Sequence, residues 1–358
     1  MYCRVFPPQH YFTRKTTACL HSFISIYADS IAADMVIVME MISAIVPCYN
    51  EEAALPYFFS EIRKVANSLS TTYNLRFELI FVNDGSRDCT LDLLREFALK
   101  DDRVKYLSFS RNFGKEAAMY AGFQYAKGDY IVLMDADLQH PPAMLEEMYI
   151  AIREEEYDIA AARRISRKGE PPIRSFFARC FYHLINKISK AEFVDGASDF
   201  RMFSRQVVDA ILNLREYNRF SKGIFGWVGF RTKWIPYENV ERVAGETNWS
   251  FWKLFLYSLD GIVAFSTAPL AIASVVGMLF CVISFIWMIA IVVKTIIGGD
   301  SVAGYPLLAC LLLLIGGSIQ LSLGIVGQYL AKTYLETKQR PIYIIAETDK
   351  EIGHEKIS

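Results

Sequence analysis

The stretch that decides the fold is "DYIVLMDAD", residues 129–137, in which an apolar run leads into two aspartates separated by one residue. We predict a buried strand here, and side chains i and i+2 of a strand project from the same face. Asp135 and Asp137 would then repel each other, because a protein interior offers two like charges little water for relief. We therefore expect a cation between these carboxylates, or an open, solvated strand end around them.

The sequence before this strand alternates between strand-like and helix-like segments. The strand-like segments are residues 42–50, 77–86 and 104–110, and the helix-like segments that follow them are residues 51–70, 88–100 and 115–127. Such alternation indicates βαβ units and a mostly parallel sheet, which is an α/β fold. Ligands of these sheets bind beyond the carboxyl ends of the strands. Polar clusters stand at those ends: Tyr49-Asn50-Glu51, Asn83-Asp84-Gly85, Arg111-Asn112 and Asp135-Ala136-Asp137.

Two long apolar segments near the C-terminus predict membrane spans. Residues 261–293 and 301–331 contain no charged residue, and each exceeds the ~20 residues that a spanning helix requires. Two buried core helices are the alternative, but core helices rarely run this long without a charge. Lys332, Lys338 and Arg340 follow the second segment. By the positive-inside tendency we expect a multi-pass protein of the inner (plasma) membrane with both termini in the cytoplasm.

The chain is predicted to have five parts. Residues 1–40 lack the apolar core of a secretory signal, and we interpret them as a disordered extension or the result of an upstream start codon, with an amphipathic targeting peptide as the alternative. The remaining parts are an α/β domain at 41–245, an interfacial amphipathic helix at 246–262, a two-helix transmembrane hairpin at 263–331 and a cytosolic tail at 332–358.

The charge balance bears on the partners. A formal net charge of −1 over 358 residues shows no basic excess, so nucleic acid is not expected as a partner. A membrane is expected from the two apolar segments, and a homo-oligomer is compatible with the sequence.

Two acidic side chains among polar groups at a strand end suit a divalent cation that also contacts a diphosphate. Hard oxygen ligands favour Mg²⁺ or Mn²⁺. Such a cation would remove the repulsion between Asp135 and Asp137. An Asp-x-Asp pair alone is a weak signal, because a solvated acidic turn can have the same sequence.

Three motifs in this order resemble those of the family-two glycosyltransferases with the GT-A fold: "IVPCYNEE" at 45–52, "FVNDGSRDCT" at 81–90 and "DADLQHPP" at 135–142. The resemblance covers about residues 42–245. With "SRNFGKEAAMYAGFQYAK" at 110–127 and the two C-terminal spans, the chain is most similar to the polyprenyl-phosphate branch, which includes dolichol-phosphate mannose synthase and the bactoprenol glucosyltransferases. The Gln-x-x-Arg-Trp signature of processive polysaccharide synthases is absent from the sequence, which argues against polymer extrusion.

The resemblance implies donor-binding roles for the residues that match these motifs. Those expected to line the base and ribose of a nucleotide sugar are Pro47, Tyr49, Glu51 and Asp84. Those expected to hold the metal and the donor diphosphate are Asp135, Asp137 and Gln139. Strand-end packing is the alternative for Pro47 and Tyr49, and a turn cap before Gly85 is the alternative for Asp84. We interpret His140 as structural.

The acceptor that the resemblance implies is a lipid phosphate. A phosphate monoester has a second pKa near ~6, so at neutral pH it is mostly a dianion and needs no general base to become a nucleophile. The residues that the resemblance places on this phosphate are Arg164, Arg174 and Ser175. Asp199 is a candidate catalytic base or metal-side residue, and the alternative for it is a role at a helix N-terminus.

The expected function is inverting transfer of one hexose to undecaprenyl phosphate at the cytoplasmic membrane face. The resemblance favours glucose from UDP-glucose, which would give a β-linked product. GDP-mannose, UDP-N-acetylglucosamine and a UDP-amino-arabinose stay open as donors. A non-catalytic membrane scaffold that binds a nucleotide sugar is the alternative from another class. The intact acidic and basic site residues argue against it.

Overall fold

The computed structural model describes residues 39–165, 182–183, 185–189, 193–238, 262–264, 266–298 and 305–349. Residues 41–358 form one unit. Its described strands are β1 Met41–Cys48, β2 Arg76–Asn83, β3 Val104–Phe109, β4 Tyr130–Leu133, β5 Ile159–Arg164, β6 Ala197–Ser204, β7 Thr232–Tyr237 and β8 Ile345–Thr348. They form one sheet in the order β7-β5-β6-β4-β1-β2-β3-β8.

Helices cover both faces of this sheet. They are α1 Leu55–Tyr73, α2 Thr90–Lys100, α3 Lys115–Tyr125, α4 Met144–Arg153, α5 Arg205–Asn213 and α6 Ser221–Trp227. Buried side chains of α1, α2 and α4 pack on one face, and those of α3, α5 and α6 pack on the other. A strand between two helical layers is apolar on both sides, which explains the continuous apolar runs in the central strands. The predicted α/β fold is confirmed.

The strand directions bring the candidate site residues to one edge. β1 runs parallel to β2 and β4, and β2 runs parallel to β3. β6 is antiparallel to both β4 and β5, so β4 and β5 point the same way. The carboxyl ends of β1 to β5 therefore share an edge with the amino end of β6, where Asp199 lies.

The strand that precedes Asp135 is shorter than predicted. β4 ends at Leu133, and Asp137 follows in a turn in which Leu138 has a φ of 55°. The prediction that one strand carries both aspartates on the same face is wrong. The pairing of β4 with β1 and β6 stops at Leu133, so the backbone after it no longer has to alternate.

The C-terminal tail returns to the sheet, which the sequence did not predict. β8 pairs antiparallel with the edge strand β3, and the amide of Ser110 donates to the carbonyl of Ile344 over 2.9 Å. The ring of Tyr343 stacks on Phe109 with centroids 4.9 Å apart. The tail therefore covers an edge strand that would otherwise expose its hydrogen-bonding groups.

Between the α/β domain and this tail lie two long helices, α7 Ala268–Gly298 and α8 Tyr305–Thr337. Each contains a segment long and apolar enough to cross a membrane, Ala268–Trp287 and Leu314–Thr337. Of the predicted interfacial helix at 246–262, all but residue 262 lies outside the described residues.

Both ends of this helix pair contact the α/β domain. Before α7, the Ser266 hydroxyl donates to the carbonyl of Ile188 over 2.9 Å. At the end of α8, the Glu336 carboxylate accepts the amides of Tyr217 and Asn218 over 2.9 and 3.1 Å. The two helices therefore leave from and return to the same side of the domain.

Candidate active site

A lysine, not predicted from the sequence, lies between two of the candidate acids. Lys115 Nζ is 2.7 Å from Asp135 Oδ1 and 2.8 Å from Asp199 Oδ2. The register that pairs Leu133 with Arg201 places Asp135 opposite Asp199 when it is continued by two residues. We expected a cation between Asp135 and Asp137, and the structure instead places this ammonium group between Asp135 and Asp199.

Asp84 fixes the backbone that leads to this lysine. Its buried carboxylate accepts the amides of Phe113 and Gly114 over 2.6 and 2.9 Å. Burial raises the pKa of Asp84, while these two amides act in the opposite direction. Gly114 has a φ of +99°, a conformation that favours glycine, and α3 begins at the next residue. The carboxylate therefore positions the start of α3, in addition to any role toward a nucleotide.

The turn that carries Asp84 also requires a glycine. Gly85 has a φ of +63°, and a Cβ there would collide with the backbone of Arg111 and Asn112. Only a residue without a side chain lets the end of β2 approach the 111–114 loop this closely. The Asn-Asp-Gly sequence thus brings two of the polar clusters together.

Asp199 lies within strand β6 and not at a helix N-terminus, so the alternative helix role is wrong. Burial would raise the pKa of its carboxyl, but the Lys115 ammonium together with the charges of Lys222 and Arg201 outweighs burial and holds that pKa well below the ordinary value. In turn, the carboxylates of Asp135 and Asp199 hold the pKa of Lys115 above its ordinary value. A carboxylate with a lowered pKa is a weak proton acceptor, which disfavours Asp199 as a general base.

The residues that follow Asp135 in the aspartate motif make contacts with other partners. Asp137 Oδ1 accepts the amide of Gln139 over 3.1 Å, which closes the turn after β4. His140 Nε2 lies 2.6 Å from Ser198 Oγ and 3.0 Å from Tyr237 Oη. Burial is the main cause of the lowered pKa of His140. A neutral, hydrogen-bonded histidine agrees with the structural interpretation of this residue.

A second residue that the sequence analysis missed is Glu116. Its carboxylate accepts the amide of Ser221 over 3.0 Å and also the Ser221 hydroxyl. Burial raises the pKa of Glu116 to about 7. This contact ties the first turn of α3 to α6, so the helix that carries Lys115 is held on both sides of that residue. The signal that the sequence offered was an acidic residue next to the small and apolar residues of "GKEAAMYAG".

The end of β1 stands beside the end of β2. Tyr49 is largely exposed, and the amide of Asn50 donates to Ser86 Oγ over 3.0 Å. The amide of Glu51 donates to Thr90 Oγ1 over 2.9 Å. Pro47 is half-buried at the end of β1, where it pairs in register with Val82. These residues border an open edge of the sheet.

The residues expected on a phosphate divide into two sets. Arg164 ends β5, and its amide donates to the carbonyl of Gly196 over 2.9 Å, so it shares the site edge. Arg174 and Ser175 lie outside the described residues. Arg201 is buried over the rings of Phe225 and Trp234, and burial lowers its pKa to about 10.

The acidic side chains fit a divalent cation that shares its coordination with a ligand. Among the described residues, no group of three or more His, Cys, Asp or Glu side chains could hold a metal ion alone. Asp135 and Asp137 nevertheless offer hard oxygen donors at the open edge. Mg²⁺ is usually held by one or two carboxylates together with substrate phosphates and water. The donor set fits Mg²⁺ or Mn²⁺ in that arrangement.

Comparisons with known proteins agree with this fold. A model of glycosyl transferase family 2 matches residues 43–212. The putative glycosyltransferase CsbB of Bacillus subtilis (strain 168) is 45% identical over 86% of this chain and 92% of that protein. The prophage bactoprenol glucosyl transferase homolog of Escherichia coli (strain K12) is 40% identical over 86% of this chain and 99% of that protein. The bactoprenol glucosyl transferase of Shigella phage SfX is 38% identical over 85% and 98%.

Solved structures show a more distant likeness. The mannosyltransferase PcManGT from Pyrobaculum calidifontis, in complex with GDP-Man and Mn²⁺, has a TM-score of 0.40 and 14% identity, and the match covers 84% of this chain and 88% of that chain. A likeness at this level bears on neither the site nor the substrate. The family of this chain follows from its 40–45% identity to relatives that are matched over nearly their whole length. This chain is a glycosyltransferase and belongs to glycosyl transferase family 2, with the GT-A fold of that family.

Proposed function

We propose that this enzyme transfers glucose from UDP-glucose to the phosphate of a polyprenyl lipid, undecaprenyl phosphate, at the cytoplasmic face of the inner membrane. The observation that carries the proposal is the identity of 38–40% to proteins named bactoprenol glucosyl transferases or their homolog, over nearly their whole length. The match to the Escherichia coli relative spans 313 residues, which is longer than the α/β domain, so the similarity extends beyond that domain.

The donor diphosphate would lie at the edge formed by the ends of β1, β2 and β4. Asp135 and Asp137 would hold Mg²⁺ or Mn²⁺, which neutralises the leaving nucleotide when bound. Gln139 would lie beside the donor. Asp84 would also lie there, and its main contribution would be to fix the 111–114 loop. Pro47, Tyr49 and Glu51 line the adjoining edge, where a base and ribose would fit.

The acceptor phosphate needs cations to orient it more than a base to activate it. As a dianion near neutral pH, with a second pKa of about 6, it is already nucleophilic. Arg164 at the end of β5 would contact it, together with Arg174 and Ser175. The lowered pKa of Asp199 agrees with a mechanism without a general base at that position. Direct displacement then inverts the anomeric centre and gives a β-linked product from an α-linked donor.

The membrane helices would serve the acceptor. They leave from and return to one side of the α/β domain, so a hairpin through the bilayer would keep that domain and the tail on the same face. Lys332 in the last part of α8, with Lys338 and Arg340 after the helix, favours the cytoplasmic face. The lipid phosphate lies at the membrane surface, within reach of a domain held there.

A panel of nucleotide sugars tests the donor. The purified full-length protein is incubated with undecaprenyl phosphate and one of UDP-glucose, GDP-mannose, UDP-N-acetylglucosamine or a UDP-amino-arabinose. We expect transfer from UDP-glucose at a rate well above the others. Efficient transfer from GDP-mannose without transfer from UDP-glucose would overturn the donor assignment, and transfer from no donor would favour the scaffold alternative.

A further inference from the structure

One acid of the proposed metal site is occupied by a lysine of the same chain. Lys115 Nζ lies 2.7 Å from Asp135 Oδ1. A divalent ion must come within about 2.0–2.2 Å of a carboxylate oxygen, so an ion on the remaining lone pair of Oδ1 would lie close to the ammonium and be repelled by it. An ion on the other oxygen of Asp135 would be close to the ammonium and repelled by it.

We propose that Lys115 keeps free divalent cations out of the site, and that the metal binds together with the donor diphosphate. This inference rests on the proposed function, which places the metal at Asp135 and Asp137. It assigns Lys115 a positioning role that controls the order in which the site is filled.

The position of the lysine is built into the fold. The two amides before it are bound by Asp84, and the residue after it is bound to Ser221. Its ammonium is also held by Asp199, 2.8 Å away on β6. Asp199 therefore acts through Lys115, because it keeps the ammonium beside Asp135.

The diphosphate changes the balance of charge at this edge. A free divalent ion brings only positive charge to a site that already contains an ammonium. A diphosphate brings oxygen ligands for the ion and new acceptors for the ammonium, since a lysine has three N–H donors. Metal and nucleotide should therefore strengthen each other's binding, and by the same factor, because such coupling is reciprocal.

Electron paramagnetic resonance of Mn²⁺ tests this in the full-length, detergent-solubilised protein, with and without UDP. For the native protein we expect Mn²⁺ to bind at least about tenfold more tightly with UDP, a typical coupling between two ligands. In Lys115→Met, free Mn²⁺ should bind about fivefold more tightly than in the native protein, which corresponds to the loss of one partly exposed ion pair. The gain from UDP should shrink accordingly.

Lys222→Met is the matched control. Lys222 acts on Asp199 through space, whereas the ion pairs of Asp135 and Asp199 are made with Lys115. Without a direct contact its charge is screened, so its loss should change free Mn²⁺ affinity by less than about twofold. Lys115→Gln gives a second test if methionine between two carboxylates impairs folding, and circular dichroism checks both variants.

The outcomes separate the two levels of the proposal. Unchanged affinity for free Mn²⁺ in both folded Lys115 variants would overturn the inference alone, provided that Mn²⁺ binds with UDP. An equal gain in Lys222→Met would also overturn it, because general charge would then explain the effect. Absence of Mn²⁺ binding to the native protein even with UDP would overturn the metal site and the inference together.

Discussion

Arg95 holds Glu347 through two parallel hydrogen bonds, Nε to Oε1 over 2.8 Å and Nη2 to Oε2 over 2.6 Å. The two residues are 252 positions apart in sequence, and the contact joins α2 to the strand β8 that follows the membrane helices. Tyr106 also donates to Glu347 over 2.8 Å. A paired guanidinium and carboxylate thus fasten the tail to the catalytic sheet.

Glu347→Ala should loosen this tail. The pair is partly exposed and worth about 1 kcal/mol, so we expect hydrogen exchange at the backbone amides of residues 345–349 to accelerate about fivefold. Asp92→Ala is the control, since Asp92 contacts Arg95 over 2.7 Å on α2 without touching the tail. Equal acceleration in both variants would show that the tail is not held by Glu347.

Asp84→Asn should destabilise the α/β domain. An asparagine retains one acceptor oxygen, so one of the amides of Phe113 and Gly114 would face an NH₂ group. An unsatisfied buried donor costs about 1–3 kcal/mol, and we expect a lower thermal unfolding midpoint in detergent. Asp209→Asn, an exposed position on α5, should leave the midpoint nearly unchanged. A native midpoint for Asp84→Asn would contradict the positioning role of this carboxylate.

Glu116 should make stability depend on pH. Burial raises its pKa from 4.5 to about 7 in the folded state, so the folded state binds the proton more tightly than the unfolded state between these values. Stability should therefore fall as pH rises from about 5 to 7, by up to about 3 kcal/mol. Glu116→Gln keeps the acceptor for Ser221 and should flatten that part of the curve.

The exposed Glu96→Gln is the control for this experiment, and its pH curve should match that of the native protein. The thermal midpoints of all three proteins are compared from pH 5 to pH 8. A decline in Glu116→Gln as steep as in the native protein would assign the pH dependence to other groups.

Asp137→Asn separates charge from structure at the proposed metal site. The asparagine oxygen can still accept the amide of Gln139, so the turn and the thermal midpoint should persist. Loss of a carboxylate ligand should lower metal-dependent turnover by about a hundredfold or more. Asp209→Asn again serves as the matched control with native turnover. Near-native activity of Asp137→Asn at low metal concentration would remove Asp137 from the metal site.

The local pattern of apolar and polar residues predicted the strands and helices well in the first part of the α/β domain. Each predicted strand from residue 42 to 110 overlaps an observed strand, and each predicted helix from residue 51 to 127 overlaps an observed helix. The strands are easy to recognise because they lie between two helical layers and are short, apolar and bounded by polar turns. β8 escaped prediction because four residues, Ile345–Thr348, carry little periodic signal. Their partner strand β3 lies more than 200 positions earlier in the chain, and only tertiary pairing defines them.

The sequence predicted where the candidate site lies in the fold, but it did not predict which side chains contact each other there. Strand polarity alone brings the clusters that contain Asp84 and Asp135 to one edge, and the family resemblance added Asp199. The lysine that joins two of these aspartates was not predicted, since nothing local relates the first turn of α3 to β4 and β6. The sequence predicted a cation between Asp135 and Asp137, whereas the structure places the Lys115 ammonium between Asp135 and Asp199.

The most direct measurement is mass spectrometry of the lipid formed when the purified protein, Mg²⁺ and UDP-glucose are incubated with undecaprenyl phosphate. We expect a new species equal to the acceptor plus one hexose, absent when metal is removed or when Asp137→Asn is used. Unmodified acceptor under all conditions, with UDP-glucose left intact and the protein folded, would contradict this expectation.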